Sequence, residues 1–109
     1  MDQSQKIAQL NDAFRTTGIG GDIMMTHGVA TLSEGTRNAV VEKVRDYDDF
    51  SDEENDPYGE HDFGSIEVIG TTYFWKIDYL DKRKEFKSED PADPEKTCRI
   101  LTIMMSAEY

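Results

Sequence analysis

Tyr58, Glu60, His61 and Asp62 fall within five positions of one another, in the run D-P-Y-G-E-H-D-F-G at residues 56–64. An imidazole oriented by a carboxylate is the raw material of a general base, and carboxylates with an imidazole can also hold a divalent cation. A small hydrolase or metal-dependent enzyme built here would use Glu60, His61 and Asp62 with Tyr58 beside them, and Arg15 or Arg99 would line the same pocket. Neighbouring residues of an extended chain point to opposite sides, so His61 and Asp62 converge only through an irregular turn. The structural alternative has Asp56 capping a Pro-Tyr-Gly turn, His61 bonded to backbone and Phe63 plugging the core.

Other chemistries find less support. Cys98 with His27 or His61 would make a nucleophile–base pair, but a cysteine in the run T-C-R-I-L-T-I-M-M reads as a small apolar group. Two histidines 34 positions apart and one cysteine lack clustered zinc-ligand spacing. Asp52, Glu54 and Asp56 lead into Pro57 where a calcium loop of the EF-hand type needs glycine. The glycines at 18, 20 and 21 follow no strand, as a dinucleotide loop would require. The sequence therefore implies no metal and no cofactor, and it favours a binding role over an enzymatic one.

Charge is the strongest signal. The formal net charge is −11 over 109 residues, and residues 46–62 hold nine acids with no lysine or arginine. The first 45 residues are balanced, so the excess is local. Such a field repels nucleic acid and anionic membranes and attracts basic partners. Asp46, Asp48, Asp49, Asp52, Glu53, Glu54, Asp56 and Glu60 are the candidate partner-binding residues, on a loop that Phe50, Tyr58 and Phe63 tie down. One cysteine and no apolar run near the roughly 20 residues of a membrane span predict a reducing, cytoplasmic setting. Nothing in the chain sets its oligomeric state.

The elements that must carry this loop are legible. Residues 3–16 place Ile7, Leu10, Ala13 and Phe14 on one helical stripe, started by Asp2 or Ser4 and stopped by Gly18. Residues 23–26 suit a short strand ending near His27. Ser33 opens a second helix over residues 34–46, with Val40, Val41, Val44 and Tyr47 inward. Residues 65–80 form a hairpin with Gly70-Thr71 as a type II′ turn, which pairs Ile66 with Trp75 and Val68 with Tyr73. Ile66, Val68, Tyr73, Trp75, Ile77 and Tyr79 then share the core face. Alternating Tyr73, Trp75 and Tyr79 superficially suggest a base-stacking sheet, but the field has the wrong sign for nucleic acid. Residues 97–106 carry apolar groups on both faces, the pattern of a central strand covered on both sides. The expected fold is a single α+β domain over 1–109. Two N-terminal helices pack on the Trp75 face of a small antiparallel sheet made of the hairpin and the C-terminal strand.

Several stretches resemble a small family of bacterial proteins of unknown function, of similar length and often carried on plasmids and other mobile elements. These are L-N-D-A-F-R at 10–15, D-P-Y-G-E-H-D-F-G at 56–64, F-W-K-I-D-Y at 74–79, and D-P-A-D-P followed by R-I-L-T-I-M near the end. The resemblance implies an anti-defence role, such as inhibition of a CRISPR or restriction complex. With the charge pattern, the expected function is an acidic module that docks on a basic, nucleic-acid-binding protein surface, its carboxylates standing in for phosphates.

Overall fold

The computed structural model describes residues 2–51, 54 and 56–109. Helix α1 spans Gln3–Thr17 and is closed at both ends by its own sequence. The Asp2 carboxylate accepts from the Gln5 N–H at 2.8 Å, and the Gln5 side chain accepts from the Asp2 N–H at 3.1 Å. Gly18 ends the helix at φ +76°, a conformation glycine adopts without a Cβ penalty. The helix buries Ile7, Ala8, Asn11, Phe14 and Arg15. The inward stripe is thus rotated from the expected one: Ala13 is exposed, and two polar side chains take core positions.

Strand β1 (Gly21–Met25) runs directly into a short helix α2 (His27–Ala30), absent from the sequence reading, whose Val29 is fully buried. Ser33 caps α3 (Glu34–Arg45), accepting from the Thr36 N–H at 3.4 Å, as expected. Val40 and Val44 are buried; Val41 and Tyr47 pack more loosely against the same core. Strands β2 (Phe63–Val68), β3 (Thr71–Leu80) and β4 (Cys98–Met105) follow, and a 3-10 turn (Ser106–Glu108) closes the chain.

The sheet order is β1-β4-β3-β2. The hairpin and β3–β4 are antiparallel as expected, but β1 pairs with β4 in parallel, so the sheet is mixed. The long connection between β1 and β4, carrying α3 and the hairpin, leaves room for the crossover that parallel neighbours require. The hairpin turn also differs. Its central residues are Ile69 and Gly70, at φ +50° and +76°, the pair of left-handed conformations that defines a type I′ turn. Val68 therefore pairs with Thr71 and Ile66 with Tyr73. The register shifts by one residue on each strand, an even total that keeps the same residues on each face.

Trp75, Tyr73, Ile77, Ile66, Val68, Leu101 and Ile103 form the buried face with Phe14, Val29, Val40 and Val44 from the helices. Strand β4 is central, but among the described residues the α-helices pack on only one of its faces. On the other side Met104, paired beside Phe74, is buried, while Ile100 and Thr102 are half-exposed. Among the described residues no helix is long and apolar enough to cross a membrane.

Candidate functional site

The acidic segment leaves the C-terminus of α3 and returns as β2, and its fixed point is Phe50. The Phe50 ring stacks on the His61 imidazole at 3.8 Å and 5°, and meets Tyr47 edge-on at 5.1 Å and Trp75 at 6.2 Å. Arg15, 2% exposed, lies 5.4 Å from the Phe50 centroid and 5.1 Å from that of Trp75. Its Nη1 donates to the carbonyls of Val44 at 2.9 Å and Arg45 at 3.0 Å. A cation from α1 thereby satisfies the last carbonyls of α3, where the helix dipole favours positive charge.

The second fixed point is His61, held at φ +57°, an uncommon conformation for a residue with a Cβ. Its N–H donates to Asp56 Oδ1 at 2.9 Å, and its ring Nδ1 lies 3.0 Å from both oxygens of Asp12, which also accepts from Arg15 Nη2 at 3.2 Å. That contact places the proton on Nδ1. The Nε2 lies 3.8 Å from Asp56 Oδ2. The bond expected from His61 to backbone is replaced by this carboxylate pair. Asp56, 8% exposed, closes the Pro-Tyr-Gly turn through its carbonyl, which accepts from the Gly59 N–H at 3.2 Å, and spends its carboxylate on His61.

A third cluster lies largely inside, on the buried Asn11 and Arg99 and the half-buried Glu60 and Tyr79. Asn11 Nδ2 donates to the Glu60 carbonyl at 2.9 Å and to the Tyr79 hydroxyl at 2.8 Å, and Asn11 Oδ1 accepts from Arg99 Nε at 2.7 Å. The Tyr79 hydroxyl donates in turn to Glu60 Oε1 at 3.0 Å. The Arg99 guanidinium sits 5.3 Å over the Tyr79 ring and donates to the Pro91 carbonyl. Burial pushes the Tyr79 hydroxyl pKa up and that of Arg99 down. These groups join α1, the loop, β3 and β4 through bonds that are part-buried, and fully buried between Arg99 and Asn11, where an unmade bond is costly.

The candidate catalytic residues are therefore distributed over three places. Glu60 faces Tyr79, His61 faces Asp12, and Asp62 lies toward the far side of the sheet beside Asp78, with Tyr58 exposed near it. Arg99 belongs with Glu60 and Tyr79, and Arg15 with Phe50 and Asp12. Cys98, half-buried, hydrogen-bonds to neither histidine among the described residues. Phe63, expected to plug the core, instead lies on the open face against Phe74 at 5.4 Å and Tyr109 at 5.9 Å, because β2 turns its odd-numbered residues outward. Of the aromatic ties only Phe50 anchors the loop at the core; Tyr58 is 76% exposed.

Of the candidate partner-binding acids, Asp46, Asp48, Asp49 and Glu54 are exposed, Glu60 is half-buried and Asp56 is turned inward. Asp52 and Glu53 lie outside the described residues. Asp49 accepts from the Ser51 hydroxyl at 2.9 Å. Among the described residues, no lysine or arginine forms an ion pair with Asp46, Asp48 or Asp49. Asp62 is the perturbed carboxylate of the region, pushed up to about 6 by burial and then by Glu60, Asp56 and Asp78.

A family model described as a protein of unknown function (DUF3768) matches residues 25–108. The chain belongs to the DUF3768 family. The DUF3768 span takes in the acidic loop and strands β2 to β4, and with them the stretches at 56–64 and 74–79. Helix α1, which supplies Asn11, Asp12 and Arg15 to the clusters above, precedes it. Neither the comparison with curated proteins nor that with solved structures returns a match.

Asn11 and Asp12 are the residues that sequence reasoning missed, and Arg15, expected to line a pocket with Arg99, instead holds the C-terminal carbonyls of α3. The signal was present: Asn11 and Arg15 stand at i+4 and i+8 from Ile7, on the stripe a surface helix reserves for apolar groups. A polar residue there needs a buried partner.

Proposed function

We propose that this DUF3768 protein is a non-enzymatic docking module whose acidic loop engages a basic surface of a partner protein. The observation that carries the reading is the state of Asp46, Asp48 and Asp49: exposed, adjacent, and unmatched by the molecule's own described bases. Their position also argues against a stabilising role. Asp46 is the C-cap of α3, where the dipole disfavours negative charge, and its neighbours repel it. Exposed carboxylates with no internal counter-charge among the described residues are suited to a cationic partner. The Phe50 stack holds the loop base in place, which lowers the ordering cost of binding.

The resemblance of the stretches at 56–64 and 74–79 to proteins of plasmids and mobile elements extends the proposal. The partner is a nucleic-acid-handling defence complex, CRISPR or restriction, whose phosphate-binding surface the loop occupies in a cytoplasmic setting. The enzymatic alternative draws no comparable support, because Glu60, His61 and Asp62 face different surroundings and His61 Nδ1 is engaged by Asp12.

The test is retention of host proteins on the immobilised chain at about 50 mM and about 300 mM salt, with and without competing duplex DNA. A basic nucleic-acid-binding protein is expected at low salt. Both salt and DNA should release it, and the Asp46→Asn/Asp48→Asn/Asp49→Asn variant should not retain it. Equal retention by that variant contradicts the proposal.

A further inference from the structure

The face of the sheet opposite Trp75 carries a hollow of about 510 Å³ between the end of the acidic loop and Tyr109. The rings of Tyr58, Phe63, Phe74 and Tyr109 line it, together with the carboxylates of Asp62 and Asp78. We infer that this hollow receives an arginine side chain of the basic partner, its guanidinium against the rings and paired with Asp62. The inference rests on the docking reading above and supplies its specificity.

Four observations converge on that occupant. First, the rings are not core: Tyr58 and Tyr109 are each 76% exposed, and Phe63 and Phe74 point away from Trp75. Second, Phe74 and Tyr109 pack edge to face at 5.5 Å and 86°, so a group entering the hollow lies beside the pair, where the perpendicular planes offer it ring faces, and a ring face attracts cations. Third, Asp62 is half-buried and pairs with no lysine or arginine among the described residues. Lys76 also lines the hollow, but it is bonded to Asp78 at 3.1 Å. A carboxylate partly desolvated and left without a counter-charge is the acceptor an incoming cation would relieve, and its raised pKa, about 6, fits that state. Fourth, Asp62 ends the acidic run itself, so a segment attracted by Asp46 to Asp49 meets the hollow on the same chain.

Arginine suits the lining better than lysine. Its planar guanidinium stacks on a ring and presents a bidentate fork to a carboxylate, whereas an ammonium is a compact, strongly hydrated charge. Anions are excluded by Asp62 and Asp78.

The experiment titrates the full chain with Nα-acetylarginine methylamide, the corresponding citrulline compound and the lysine compound. Aromatic proton shifts and the Asp62 carboxyl carbon are followed by NMR. The expected result is saturable shifts at Tyr58, Phe63, Phe74 and Tyr109 with arginine alone, and an Asp62 pKa drawn down from about 6. Asp62→Asn should bind about tenfold or more weakly, as loss of a charge-assisted bond implies. Tyr58→Leu, at an exposed site, should also weaken binding. The variant neutralised at Asp46, Asp48 and Asp49 should bind the small probe as wild type does, so failure of the hollow and failure of the loop are separate results. Equal shifts with citrulline, an equal response to lysine, or undiminished binding by Asp62→Asn each overturns the inference.

Discussion

Trp75 is fully buried, and the indole edge of its ring occupies the space a side chain at Gly64 would need. A Cβ placed on Gly64 would lie 2.3 Å from Trp75 Nε1, 2.7 Å from Cε2 and 2.8 Å from Tyr47 Cζ. No flexible side-chain end is available to yield, so Gly64→Ala should cost about 1–3 kcal/mol as an overpacked core does. Urea denaturation of the variant measures this; an unchanged midpoint would mean that the Trp75 packing is looser than described. Asp62 makes the opposite case, a residue kept at some cost. Its folded-state pKa, about 6, lies above the ordinary 3.8, so the fold favours the protonated form. The contribution is therefore most favourable below about 3.8 and is lost as pH rises through about 6. Asp62→Asn should raise the thermal midpoint at pH 7 and leave it near wild type at pH 4. An equal difference at both pH values would show that the carboxylate's charge is not the cause.

At the scale of elements, the hairpin and α1 show what local pattern can and cannot convey. The faces of β2 and β3 follow from alternation alone, and they survive a turn placed one residue away because the register error is even. The turn itself was misplaced because Ile69 is a poor residue for a left-handed position, so Gly70-Thr71 looked the better pair. That misfit is measurable. Ile69 is 84% exposed, and Ile69→Asn should stabilise the hairpin by up to about 1 kcal/mol, read from denaturant midpoints. A loss of stability would imply that the isoleucine side chain has a packing role. Helix α1 was legible in extent and caps, but not in purpose. Its buried Asn11 and Arg15 and its half-buried Asp12 find partners more than 25 positions away, at Val44, Glu60, His61 and Arg99, and no local periodicity encodes such partners. The parallel pairing of β1 with β4 was illegible for the same reason, since strand order is decided by the whole chain.

Across the whole molecule, charge and covering divide the surface. Helices seal one side of the sheet, polar clusters from α1 stitch the loop to the core, and Asp46, Asp48 and Asp49 stand outside on a base fixed by Phe50. The acidic segment was visible in composition. Which of its members face solvent was not, because Asp56 and Glu60 are drawn inward by His61 and Tyr79, partners that only the fold supplies. Complementary fields act mainly on encounter rates and partner choice, so the central claim is kinetic as well as thermodynamic. The most direct test is the association rate with the basic protein retained from the host, measured from about 50 to about 300 mM salt for wild type and for Asp46→Asn/Asp48→Asn/Asp49→Asn. A wild-type rate that falls about tenfold or more with salt, and a variant that is slow throughout, is the predicted result. Identical rates for the two proteins, or a wild-type rate indifferent to salt, would contradict it.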